Sequence, residues 1–271
     1  MRLVILGSAA AEGVPALFCA CETCREARRR GGRDLRRRTA YLWDHVLVDC
    51  GPDLLAQSQA LGLDLSELRH LLLTHTHADH LLLSNLEYRR VGYSLVPPEA
   101  RLTVYGNAAA EAALDSLEYS RSALALEFVR ARVGEELDLG EGRSALPLRA
   151  SHNPAEECLL YLLRAPEGTA LLANDSGWWP EDTWAQLAAE KLDLVLIDCT
   201  YGLTGNSGGH LNAADVIRAG AELHRLGCLA PAARIVANHF SHNGRCLQAD
   251  LEARLGPAGL EVGYDGMVLE V

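Results

Sequence analysis

A chain of 271 residues, 49% hydrophobic and 23% charged, is long enough for one large or two small domains and too apolar to be disordered. Its net charge of −11 disfavours broad binding to nucleic acid or anionic membranes, and no apolar stretch approaches the length of a membrane span. Lys191 is the single lysine, so P-loop and Schiff-base chemistry lack the residue they depend on.

Arg2–Ser8 reads as a strand rather than a signal peptide: its apolar core is too short and Glu12 follows directly, which points to a cytoplasmic protein. Eight cysteines in such a chain read as metal ligands or buried thiols rather than disulfides. Cys50, Cys158, Cys199 and Cys228 adjoin apolar stretches and suit core packing, whereas Cys19, Cys21 and Cys24 crowd together in a loop. Thiolates that close repel one another or oxidise unless a metal holds them. Arg25, Arg28, Arg29, Arg30, Arg33, Arg36, Arg37 and Arg38 follow, read as a loop with a short helix that is either a solvated basic segment or a phosphate-binding one.

Thr39–Trp43 and His45–Asp49 form a hairpin pattern with Asp44 in the turn, and Pro52 then starts a helix reaching Leu61. Leu71–Thr74 is a buried strand. Ser84–Tyr93 reads as a helix and loop, placed either over a site or on the surface. A strand at Arg101–Tyr105 and a helix at Ala108–Leu117 lead into three or four strands between Leu124 and Arg164, then another at Thr169–Ala173. Later elements alternate: helix Thr183–Lys191, strand Leu192–Ile197, helix Ala213–Leu226, strand Arg234–Ala237, helix Leu247–Leu255, and closing strands at Gly259–Val262 and Met267–Val271. With no linker between halves, this predicts a single α/β domain of four layers, two β-rich sheets packed together with helices outside.

The densest chemistry follows Leu71–Leu73, where His75, His77, Asp79 and His80 are spaced H-x-H-x-D-H. His75 and His77 face one side of an extended segment, and gathering such groups without a metal would be costly. His152, Asp175 and His239 each follow another strand-like run, so ligands from several strand ends can converge at one edge.

On these motifs the chain resembles the metallo-β-lactamase-fold superfamily, with Leu6-Gly7-Ser8-Ala9-Ala10 and Val48-Asp49-Cys50-Gly51 as further matches. The resemblance implies a two-metal hydrolase in which His75, His77 and His152 hold one ion, Asp79, His80 and His239 the second, and Asp175 bridges them. Asp49 would support the histidines from behind, and a hydroxide between the ions would attack the substrate. The ligand set suits zinc, manganese or iron.

Gly13-Val14-Pro15-Ala16, the cysteine cluster, His239-Phe240-Ser241-His242 and Glu261–Met267 resemble the phosphoribosyl cyclic phosphodiesterases of the carbon–phosphorus lyase pathway. That implies a structural zinc on Cys19, Cys21, Cys24 and His242, with Cys246 the competing fourth ligand. It also implies a small cyclic phosphodiester as substrate, such as a phosphoribosyl cyclic phosphate or cyclic nucleotide. Asp79 and His210 would then act at the chemistry, His210 as proton donor, although read alone His210 is equally a glycine-flanked surface histidine or a helix start. Arg38, Asn174, Ser176, Tyr201 and Asn206 are candidate substrate contacts by position. A homodimer is consistent with several relatives. The alternatives are a pyrroloquinoline quinone biosynthesis-like metalloprotein, a tRNA-processing-like nuclease, and a non-catalytic metal-bound scaffold.

Overall fold

The computed structural model describes residues 1–97, 100–205 and 208–271. Its strands are β1 (Arg2–Gly7), β2 (Ala40–Trp43), β3 (Val46–Val48), β4 (His70–Leu72), β5 (Leu102–Gly106), β6 (Leu126–Arg130), β7 (Leu137–Gly140), β8 (Arg143–Arg149), β9 (Leu159–Ala165), β10 (Gly168–Ala173), β11 (Leu192–Asp198), β12 (Leu229–Asn238), β13 (Glu261–Val262) and β14 (Val268–Glu270). The helices are α1 (Glu22–Arg30), α2 (Leu54–Leu61), α3 (Leu83–Glu87), α4 (Ala108–Asp115), α5 (Glu181–Leu187), α6 (Ala213–Leu226) and α7 (Gln248–Leu255). Among the described residues the strands make two seven-stranded sheets, ordered β14-β1-β2-β3-β4-β5-β6 and β13-β12-β11-β10-β9-β8-β7.

Alternation along the strands decides the layering. In β1, Leu3 and Ile5 point between the sheets, while Val4 and Leu6 point outward. The inter-sheet core joins Leu3, Ile5, Val48 and Leu72 to Leu172, Leu194, Leu196 and Val236. A second core packs Leu71 and Val104 against Leu86, Ala110 and Leu114, and a third packs Val195 and Ile197 against Val216, Leu223, Leu251 and Leu255. Three apolar seams separate four layers, helix–sheet–sheet–helix. Strands buried on both faces explain the near-continuous apolar runs. Among the described residues, no helix is long and apolar enough to cross a membrane.

Helix ends follow local chemistry. Asn212 accepts from the Asp215 amide in a capping box that starts α6, and Gly227 ends it in the left-handed conformation. Two of the differences from expectation have a local cause. β12 runs from Leu229, because the register slips between Leu192 and Leu194 and lets the strand pass Pro231. α5 spans Glu181–Leu187, two residues earlier than expected at its start, where Pro180 takes the N-cap, and four residues earlier at its end.

The arginine segment is a short helix followed by a loop, and most of its helical arginines are solvated. α1 carries Arg25, Arg28, Arg29 and Arg30, with Arg29 and Arg30 paired to Glu26 one turn earlier. Arg28 reaches back to the carbonyls of Ala16 and Cys19, both at 3.0 Å. Arg36 is buried, donating to Ser8 Oγ at 2.9 Å, the Gly263 carbonyl at 2.7 Å and Gln248 Oε1 at 2.5 Å. Burial pushes its guanidinium down to about 10. Arg36→Met is therefore expected to lower stability by about 3 kcal/mol, since it strands those acceptors inside the fold; urea unfolding checks this. An unchanged midpoint would mean that the acceptors find water.

Candidate metal centre

β3 and β4 are parallel neighbours, as are β10, β11 and β12, so the residues that leave their carboxyl ends meet along one edge. Asp49, Asp175 and His239 sit at such ends with φ of 65°, 50° and 61°. Left-handed backbone at three non-glycine residues is a strain that the surrounding structure must hold. The loop after β4 folds back on Gly51, where a Cβ would stand 1.9 Å from the Asp79 carbonyl oxygen. Only glycine lets the motif close there.

The ligand-type atoms of His75, His77 and His152 lie within 4.8 Å of one another, and so do those of Asp79, His80, Asp175 and His239. Asp175 joins the groups: its Oδ2 is 3.0 Å from His239 Nε2 and touches His80 Nε2, and its Oδ1 is 3.8 Å from His152 Nε2. Asp79 Oδ2 is 3.1 Å from His80 Nε2.

Most of these imidazoles are anchored through Nδ1. His75 Nδ1 meets Thr74 Oγ1 at 3.0 Å, His80 Nδ1 meets Asp49 Oδ2 at 2.6 Å, His152 Nδ1 meets the Gly209 carbonyl at 3.2 Å, and His239 Nδ1 meets Thr200 Oγ1 at 2.9 Å. Each Nε2 is thereby turned inward. His77 is reversed, with Nε2 by Asn153 Nδ2 at 3.3 Å and Nδ1 facing His152 Nε2 at 3.2 Å. The Nε2 atoms of His75, His80 and His239 and Oδ2 of Asp175 are buried without a hydrogen bond. Outward atoms pinned, and inward atoms crowded together without hydrogen bonds of good geometry, is the pattern a cation would complete.

Electrostatics agree. Burial alone would raise the Asp175 carboxyl, yet His239 and His80 hold it well below the usual range. Burial would likewise lower His80, but Asp175 and Asp49 keep it well above its ordinary value, and Asp175 raises His239 to about 9 against the same penalty. His75, with no such partner prevailing, is pushed well down by burial and by His80. The acids therefore demand buried positive charge, which protons or metal ions can provide.

Asp198 and Thr200 are functional positions that strand reading passes over. Asp198 is fully buried at the end of β11 and meets His210 Nδ1 at 2.9 Å. It also accepts from the amides of Thr200, Leu211 and Asp175 at 3.0, 2.9 and 3.1 Å. Asp175, Asp198, His210 and His239 also form a ligand-type cluster, but those donors saturate Asp198 and make it a support. Asp49 is its counterpart, accepting from the Thr74 amide at 2.9 Å and from its hydroxyl. The missed signal is an acid at a strand end with threonine nearby. Burial would lower His210, but the Asp198 hydrogen bond raises it.

The cysteine cluster forms a separate site. Cys19, Cys21, Cys24 and His242 gather their ligand-type atoms within 4.8 Å, with His242 Nδ1 3.5 Å from Cys21 Sγ and 3.7 Å from Cys19 Sγ. His242 Nε2 faces Glu12 at 3.5 Å. Against burial, the Cys24 amide and the neighbouring groups bring Cys21 down to about 6, while burial pushes Cys24 up to about 12. Three thiols and an imidazole form a closed tetrahedral donor set suited to zinc. Cys246 stays outside the cluster, its sulfur only 2.4 Å from where a Cβ on Gly202 would stand.

The expected substrate contacts divide. Arg38 is paired with Asp53 at 2.9 Å, and Asn174 is buried with its amide donating to Tyr41 Oη. Ser176 is fully buried, accepting from the Ser151 amide at 2.9 Å. All three make framework contacts, although Asn174 Oδ1 is left without a hydrogen bond. Tyr201 does stand at the site, its ring 5.9 Å from that of His210. Asn206 lies outside the described residues.

A family model described as Beta-lactamase superfamily domain matches residues 44–240. The crystal structure of a new diphosphatase from the PhnP family superposes with a TM-score of 0.79 at 24% identity, covering 100% of this chain and 98% of that one. Zinc-bound PqqB from Methylobacterium extorquens gives 0.73 at 20% identity, covering 100% of both chains. At these identities the likeness establishes the fold. An octanoyltransferase from Porphyromonas gingivalis is 40% identical over 86 residues, which is 30% of this chain and only 16% of that protein.

Proposed function

This chain belongs to the beta-lactamase superfamily, and on that premise we propose that it is a metal-dependent phosphodiesterase acting on a small, cyclic phosphodiester. The observation that carries the reading is the ring of inward-facing imidazole nitrogens around Asp175. Divalent ions held by His75, His77 and His152 and by Asp79, His80 and His239, with Asp175 between, would supply Lewis acidity towards phosphoryl oxygens and lower the pKa of water. Zinc, manganese or iron fits the donors, and zinc fits the thiol site.

The chain's own residues do the rest. Asp49, Thr74 and Thr200 fix the imidazole tautomers. His210, oriented through Nδ1 by Asp198, holds a proton beside the centre for the leaving oxygen. Tyr201 forms a wall next to it. Likeness to a PhnP-family diphosphatase supports a phosphoryl substrate, and the net charge of −11 favours a small molecule over nucleic acid. Likeness to zinc-bound PqqB keeps a pyrroloquinoline quinone biosynthesis-like metalloprotein as the second reading.

The test is hydrolysis of bis(p-nitrophenyl) phosphate, a phosphoribosyl cyclic phosphate and cyclic nucleotides, after chelation and after return of Zn2+ or Mn2+. Metal-restored cleavage with preference for a cyclic ester is expected. A protein that carries its active-site ions and cleaves none of these would overturn the reading.

A further inference from the structure

The metal centre straddles two sheets. His75, His77, Asp79 and His80 leave the sheet containing β4, whereas His152, Asp175 and His239 leave the sheet containing β8, β10 and β12. Apolar side chains fill the seam between them, and such contacts are non-directional, so they resist separation of the sheets more than sliding. Ligand atoms tolerate only a few tenths of an ångström of misplacement. Something directional must set the offset.

Beside the metal centre, two buried phenols cross the seam in opposite directions. Tyr41 on β2, 2% exposed, accepts from Asn238 Nδ2 at 2.8 Å and from Asn174 Nδ2. Tyr161 on β9, fully buried, donates to the Leu73 carbonyl at 2.9 Å. The gripped residues lie one or two positions before the ligands: Asn174 precedes Asp175, Asn238 precedes His239, and Leu73 lies two residues before His75. Asp175 and His239 are also held in left-handed backbone.

We propose that Tyr41 and Tyr161 are positioning residues that fix the offset of the two sheets at the metal centre, Tyr41 for Asp175 and His239 and Tyr161 for His75. The inference rests on the metal-centre reading above. Tyr105 supplies the control: it is a buried tyrosine of the same seam whose hydroxyl points to His70 Nδ1 at 3.2 Å and the Asp138 carbonyl at 3.5 Å, not to a ligand-bearing strand end.

The experiment is Zn2+ titration of the full chain against a chromophoric chelator, with unfolding midpoints in excess chelator. Wild type is compared with Tyr41→Phe, Tyr161→Phe and Tyr105→Phe. Tyr41→Phe and Tyr161→Phe are expected to weaken an active-site ion roughly tenfold or more while leaving the thiol-site ion in place. Tyr105→Phe should lower the chelated midpoint without changing affinity. Wild-type affinity in the first two variants overturns the proposal, as does an equal loss in Tyr105→Phe. Should Tyr41→Phe not fold, Asn174→Ala removes one donor and must weaken binding. If wild type takes up only the thiol-site ion, the metal-centre reading fails and this inference falls with it; normal wild-type loading with unaffected variants sinks this inference alone.

Discussion

Replacing Asp175 with alanine is expected to cost the active site its ions and nearly all hydrolysis, while the thiol-site ion stays. Asp175 stands between the two ligand groups: it touches His80 and His239 on one side and approaches His152 Nε2 to 3.8 Å on the other. Its carboxylate is also the charge against which His80 and His239 are raised. Losing a partner behind a ligand typically costs 10–100-fold in metal affinity, so removal of a shared ligand should exceed roughly 100-fold. Asp175→Asn keeps the shape without the charge and separates the two contributions. Metal analysis and competition titration give the answer. An alanine variant that binds its ions with wild-type affinity would show that Asp175 is not a ligand.

The histidines of this centre are legible in the sequence because each follows an apolar strand, and strand ends of parallel sheets converge wherever the sheets pack. The supports behind them are less visible. Asp198 reads as the last residue of a strand, and Thr74 and Thr200 read as ordinary strand-compatible residues, because nothing local states which imidazole each will face. Asn174 and Ser176 show the converse: polar residues beside a ligand look available for substrate, and the structure gives them cross-sheet and backbone partners that no local pattern announces. Arg36 shows the same limit. A basic run signals a solvated surface, and only the closing of residues 263–265 against Ser8 reveals that one of its cations is buried. β12 hides behind Pro231, since a proline suggests a break that a register slip can absorb.

His210→Ala should lower turnover by about 10²–10⁴ on a substrate with an alkoxide leaving group, with metal content unchanged. Asp198 orients the imidazole through Nδ1, so Nε2 is the atom left to deliver a proton, and the ring lies 4.8 Å from that of His152 and 5.7 Å from that of His239. An alkoxide leaves as a strong base and needs that proton, whereas p-nitrophenolate is stable without it. The variant should therefore be impaired far less on bis(p-nitrophenyl) phosphate than on a sugar cyclic phosphate. This contrast separates proton donation from support, because Thr200 Oγ1 meets both His210 Nδ1, at 3.1 Å, and His239 Nδ1. If His210 served mainly to brace His239, both substrates would suffer equally and metal would be lost alongside activity. Equal impairment with metal retained would also remove the proton-donor role and leave His210 as a contact for the phosphoryl group.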